Sequence, residues 1–307
     1  MRRSSFRAAA ASLVLLVPVK AGAVYSAKIC QGLEQKFEQI EREASSIELN
    51  AALFSAADKG CIELAKLLLE RGASLEARDG LGAKPLARAA ASGHADVVAL
   101  FLDKGAPIDA RDLNSSTALY KAAEGGRLPI VRLLVERGAD VNLPGRSGIS
   151  PLAAAAYMGS APIVAYLIEK GADPNGMDAT QKGALVYAAG RGFTPVARLL
   201  LDHGVDVNTR YGHNLTALMW AAGYSSDAGV RDIVEVMTLL IERGARIDER
   251  DDRGRTALMI AAELNHEAAA DLLLKHGADK TLKDKQGKTA ADLTTLTTLR
   301  EKLASAH

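Results

Sequence analysis

Apolar residues follow a helical rhythm along this chain, with a longer period laid over it. In Ile130, Val131, Leu133, Leu134 and Val135, steps of one, three and four put the bulk on one helix face. A shorter element precedes this run: Thr117, Ala118, Leu119, two variable positions, then Ala122 and Ala123, a pattern that returns from Thr216 to Ala222 and from Thr256 to Ala262. The Thr117 hydroxyl can cap free amides at a helix start, and Ser150, Thr216, Thr256 and Thr289 hold the same place. The paired alanines are small because the second helix must lie close against the first. Gly138 then stops that second helix in a left-handed turn, with Arg137 suiting the negative end of its dipole. His203 and His276 stand where Arg137 does and read as polar helix ends.

The stop signal forms a ladder. Gly72, Gly105, Gly138, Gly171, Gly204, Gly244 and Gly277 are separated by 33, 33, 33, 33, 40 and 33 residues. Leu53, Leu86, Leu119, Leu152, Leu185, Leu218 and Leu258 keep the same steps, with the seven extra residues between Leu218 and Leu258. Such a period marks an array of units, none able to bury its apolar face alone. The repeated motif resembles the ankyrin repeat, whose signature is TPLHxA at this spacing. The resemblance spans roughly residues 48–305 and implies an all-α solenoid of about seven helix-turn-helix units with short hairpin fingers, plus capping helices at both ends. Repeats fall near 48–78, 79–111, 112–144, 145–177, 178–210, 211–250 and 251–283, followed by a C-terminal cap at 284–305.

Departures from the motif are informative. Phe54, Ala87, Tyr120, Ala153, Val186, Met219 and Met259 replace its His, which removes polar bridges between units worth on the order of 1 kcal/mol each. Ser115, Gln181 and Asn214 stand where the finger-turn Gly would be, and Gly145 where its Asp would be, so finger shapes are expected to vary.

At the start of the chain, Arg2, Arg3 and Arg7 precede an uncharged stretch from Ala8 to Val19, followed by Ala21, Gly22 and Ala23. That order describes a secretory signal peptide over residues 1–23, cleaved after Ala23, and predicts a periplasmic or secreted protein. An uncleaved membrane anchor and a mitochondrial presequence are the alternatives. The apolar stretch of about 12 residues is shorter than the ~20 of a membrane span, so none is expected in the mature chain. Residues 24–47 read as an N-terminal capping helix. The chain has two cysteines, Cys30 and Cys61. In an oxidising compartment they form a candidate disulfide that would staple this cap to the first repeat, the alternative being two unrelated thiols.

Losing Arg2, Arg3, Arg7 and Lys20 would take the formal charge from +1 to +1 minus 4, or −3. With dispersed basic residues and few aromatics, the chain does not read as a nucleic-acid binder. No nucleotide-binding loop, HExxH or zinc-spaced Cys cluster occurs, so no catalytic residue, cofactor or metal site is predicted. Asp140, Asp173, Asp206 and Asp279 recur at one repeat position, which spreads carboxylates along the stack instead of converging them for acid-base work.

A surface must then carry function. The family's variable positions map onto Ile149, Lys182, His213, Leu215, Arg253 and Arg255 on fingers and onto Tyr157, Met158, Arg191 and Tyr224 at inner-helix ends. One register position reads Arg88, Lys121, Ala154, Tyr187, Trp220 and Ile260. Its early charges imply contact with solvent, and Tyr and Trp are enriched at binding hot spots, although both side chains also suit the core between repeats. The seven-residue insertion, within Gly223 to Arg231, reads as an enlarged loop beside them. The resemblance thus implies a monomeric scaffold holding a protein partner on its concave face. A chaperone-like accessory protein, an inhibitor or immunity protein for a toxin or lipase, and a secreted effector are narrower versions; an enzyme or cofactor carrier is the reading of another class.

Overall fold

The computed structural model describes residues 21–40, 44–224 and 228–305, and the leader through Lys20 lies outside them. Helix α1 (Ala21–Ile40) is followed by eight helix pairs: α2 (Ser46–Lys59) with α3 (Ile62–Glu70), α4 (Pro85–Ser92) with α5 (Ala95–Asp103), α6 (Ala118–Glu124) with α7 (Leu128–Glu136), α8 (Pro151–Tyr157) with α9 (Ala161–Glu169), α10 (Ala184–Ala189) with α11 (Thr194–Asp202), α12 (Ala217–Ala222) with α13 (Val230–Glu242), α14 (Ala257–Glu263) with α15 (Glu267–Lys275), and α16 (Ala290–Leu293) with α17 (Thr297–Ala304). The first member of each pair is the inner helix. Successive inner helices pack more closely than successive outer ones.

The local signals act as the sequence predicts. Thr117, Ser150, Thr216 and Thr256 each accept a hydrogen bond from the backbone N–H three residues on, at 3.1–3.3 Å. Both alanines of every pair from Ala89 and Ala90 to Ala261 and Ala262 are fully buried, which lets the paired helices approach closely. Gly138 takes φ 93°, and the other ladder glycines share this left-handed conformation. Polar bridges between neighbouring repeats lie on exposed turns after the outer helices. Asn142 donates to the Gly171 carbonyl at 3.1 Å and accepts from the Asp173 amide at 2.9 Å, and Asn208 does the same toward Gly244 and Arg246. The recurrent carboxylates Asp140, Asp173, Asp206 and Asp279 each accept from a backbone N–H two residues on and so shape their own turns. His94 follows the turn glycine and bonds the Asp58 carbonyl of the preceding repeat at 3.1 Å, a bridge between units where a local bond is the expectation.

Fingers between the pairs are closed turns, with only isolated bridges at Met177–Gly183 and Tyr211–Leu215 and no strand among the described residues. Ser115, Gln181 and Asn214 adopt φ of 58–63°, the conformation the missing glycine would have supplied. Neighbouring fingers are tied by backbone bonds such as Leu113 to Leu81 (3.0 Å) and Ala179 to Ser147 (2.9 Å).

Both ends of the apolar stack are covered. Phe37 of α1 is buried, Leu33 packs beside it, and Cys30 is bridged to Cys61 at the head of α3. At the other end Leu299 and Leu303 of α17 are buried. The insertion gives the enlarged loop expected for it and a longer helix as well. Helix α13 has 13 residues where the outer helices of the other repeats, α3 to α11 and α15, have nine, so four of the seven extra residues lengthen the helix and three lengthen the turn. Residues 225–227 of that turn lie outside the described residues.

Candidate partner-binding site

A repeated carboxylate organises the inner face. In five fingers one oxygen of an Asp accepts backbone N–H bonds from residues two and four positions on: Asp79, Asp112, Asp178, Asp251 and Asp284, at 2.7–3.0 Å. In the early repeats its other oxygen faces a cation nine residues on, Arg88 at 3.7 Å from Asp79 and Lys121 at 3.6 Å from Asp112. Asp178 instead accepts the hydroxyl of Tyr187. Asp251 is served by Arg255 of its own finger at 2.9 Å, because Ile260 occupies the inner-helix position. In the two remaining fingers the Asp is gone, and the paired positions read Gly145 with Ala154 and Tyr211 with Trp220. The charged ladder therefore ends at Lys121, and an aromatic segment takes over.

That segment forms a cleft of about 320 Å³ between α8, α10 and α12, walled by Tyr157, Lys182, Tyr187, Arg191 and Trp220, with Val186, Gly190 and Gly223 between them. Tyr157 meets Tyr187 edge to face at 5.8 Å. The Arg191 guanidinium lies 4.5 Å from the Tyr157 ring centre, and the Lys182 ammonium 4.8 Å from that of Trp220. The indole N–H of Trp220 is buried and finds no acceptor among the described residues. Burial, then the Asp178 carboxylate, push the Tyr187 phenol well above its ordinary range. Burial alone would raise the Asp178 carboxyl, but the bonds from Tyr187, Lys182 and Thr180 outweigh it and hold the group below its ordinary value.

The alternative between core and surface for Tyr187 and Trp220 resolves as both. Each is half-buried, with the Tyr187 hydroxyl turned inward to Asp178 and both rings lining the cleft. Five of the expected residues are thus brought together. The others are dispersed. Ile149 and Leu215 pack against the core, Met158 is exposed beside Tyr157, and Tyr224 stacks on His266 of the next repeat at 3.8 Å. His213 and Arg253 are exposed on their fingers, while Arg255 is held by Asp251 and Glu263. Asp178 was not among the expected residues. Its signal in the sequence is the Tyr nine positions on, where earlier repeats have a cation.

A wider opening, about 840 Å³, lies at the other end of the inner face between Ile47, Phe54, Leu81 and Arg88. Its Arg88 is already paired with Asp58 at 3.1 Å. Among the described residues no group of His, Cys, Asp or Glu is arranged to hold a metal, and no helix is long and apolar enough to cross a membrane.

A family model for ankyrin repeats, in sets of three copies, matches residues 27–112, 86–178, 175–237 and 210–284. The chain belongs to the ankyrin repeat family. Its fold is also similar to the crystal structure of the human ASB11 ankyrin repeat domain, with 28% identity and a TM-score of 0.64 over 72% of this chain and 96% of that one. A comparison with curated proteins gives no match. Ankyrin repeats indicate a protein-protein interaction scaffold, a fold typically without enzymatic activity. In this ankyrin array the aromatic cleft occupies the fourth to sixth repeats, where the finger-to-helix ion pairs of the early repeats are missing.

Proposed function

We propose that this ankyrin repeat protein is an exported scaffold that holds a protein partner across its concave inner face, centred on Tyr157, Tyr187 and Trp220. The observation that carries the reading is the cleft itself: three aromatic rings lining an open surface, two of them under cations, in a stretch without the ion pairs that fill the same register elsewhere. Large rings with few rotatable bonds concentrate binding energy at small ordering cost. Export is supported by the basic-then-apolar leader and by the Cys30–Cys61 bridge, since disulfides persist in oxidising compartments.

The test is capture of the partner by the mature chain from its native compartment, followed by rebinding of the purified partner. Trp220→Ala should weaken rebinding by about 2 kcal/mol or more, with the far-ultraviolet circular dichroism unchanged. Arg137→Ala on the outer face should leave binding intact. Equal affinity of wild type and Trp220→Ala would move the site elsewhere, and recovery of the chain from the cytoplasm would defeat export.

A further inference from the structure

Resting on that reading, we propose that the cleft takes an extended segment of the partner in which an apolar side chain stands beside a carboxylate, the carboxylate meeting Lys182 and the apolar side chain lying among Tyr157, Tyr187 and Trp220.

The charge argument comes from a difference along one face. Arg88, Lys121, Arg146 and Arg255 all lie within ion-pair distance of carboxylates of this chain. Lys182 has an aromatic ring beneath its ammonium and, among the described residues, no carboxylate within that distance. The neighbouring Asp178 is saturated. One oxygen accepts the amides of Thr180 and Lys182 and the Thr180 hydroxyl, and the other accepts the Tyr187 hydroxyl. Because the Lys182 amide is itself one of those donors, the lysine stem starts from a fixed point, and its charge has no counter-ion among the described residues. An ammonium already partly shielded by an indole gains more from an incoming carboxylate than a fully hydrated one does.

The size argument limits the occupant. About 320 Å³ lies at the small end of the roughly 300–1,000 Å³ range of ligand sites. It admits one side chain with its adjoining backbone and excludes a whole helix. The two tyrosine rings, set edge to face, and the indole provide apolar contact for that side chain, and the carboxylate next to it then falls to the lysine.

Trp220 is the only tryptophan, so its emission reports from inside the cleft. A random peptide library displayed on phage is selected on the full chain, and the enriched peptides are synthesised and titrated by Trp220 emission. Enriched sequences should share Asp or Glu next to an apolar residue. Replacing that acid by its amide should weaken binding about tenfold, and Lys182→Gln, which keeps most of the stem, should do the same with circular dichroism unchanged. Lys182→Glu should abolish binding of the acidic peptides.

Enriched peptides without an acidic residue, equal binding of the amide form, binding that survives Lys182→Glu, or no enrichment at all would each overturn the proposal. Peptides that perturb Trp220 without carrying a carboxylate would do so while leaving the concave-face reading standing. That reading falls separately, if the captured partner binds Trp220→Ala as it binds wild type.

Discussion

The ring of Tyr120 occupies the space that a side chain at Gly145 would need. A Cβ built on Gly145 would come 2.5 Å from two atoms of the Tyr120 ring. The Gly that stands for the finger Asp of the fourth repeat is therefore fitted to the ring that the third repeat's inner helix presents. The backbone at Gly145, φ −95° and ψ −142°, makes no demand for glycine, so the ring decides the cost. Gly145→Ala should destabilise the array by roughly 1–3 kcal/mol through overpacking. In a Tyr120→Ala background, which removes the ring, that loss should shrink, giving a coupling of roughly 0.5–3 kcal/mol in a double-mutant cycle followed by urea unfolding. Additive effects would show that the two positions do not interact.

A second pair reverses a familiar rule. Gly183 stands at the cap of α10, where every other inner helix but α4 has Thr or Ser, and a Cβ there would lie 2.9 Å from Cε1 of Tyr211. A hydroxyl residue at a helix cap ordinarily adds about 1 kcal/mol. Here Gly183→Thr should instead lower stability, whereas Thr256→Ala, which removes a working cap, should cost about 1 kcal/mol. Thermal unfolding of the two variants decides it, and a stabilised Gly183→Thr protein would refute the packing argument.

These pairs show what the sequence could and could not reveal. The glycine and leucine ladders fixed the period because every unit must solve the same packing problem, and that problem repeats visibly in one dimension. The fit between Tyr120 and Gly145 joins different repeats, so each half reads as an isolated irregularity until the stack brings them together. The insertion's small polar residues mark the enlarged turn before Val230 and leave the added length of α13 unmarked. Ile233, Val236, Met237 and Leu240 carry the apolar face of α13 back toward Val230, and their spacing is the signal that marks the longer helix. Tyr187 and Trp220 were found from a register position, whereas the buried Asp178 that holds Tyr187 repeats a finger residue and so carried no mark of its own.

The buried phenols set an alkaline limit. Burial pushes Tyr211 up to about 12, and burial with the Asp178 carboxylate raises Tyr187 further. Both are raised above the unfolded value of about 10. Their contribution is therefore complete below that pH and is lost as pH climbs through the folded values. Phenolate absorbance should show Tyr187 and Tyr211 ionising late, together with loss of helical circular dichroism. Tyr187→Phe should remove part of the late step. If all seven tyrosines titrate near pH 10 in a folded chain, the burial account is wrong.

The N-terminal staple gives the last prediction. Cys30 and Cys61 close a segment with a sequence separation of 31, and the bridge holds the one helix that lies outside the repeat register. Phe37 is buried against the first repeat, yet α1 has no ladder glycine or paired alanines to fix its packing. Constraining a loop of this length in the unfolded chain is worth roughly 3–4 kcal/mol in the chain-entropy account. Cys30→Ser should therefore loosen α1 first, because each unit of a solenoid is held only by its neighbours and an end unit has a neighbour on one side. Hydrogen exchange should rise in α1 and α2 while the fourth to sixth repeats keep their protection and their binding. Reductant should reproduce the effect in the wild-type chain and leave Cys30→Ser unchanged. Full alkylation of both thiols in unreduced native protein would show that the bridge does not form.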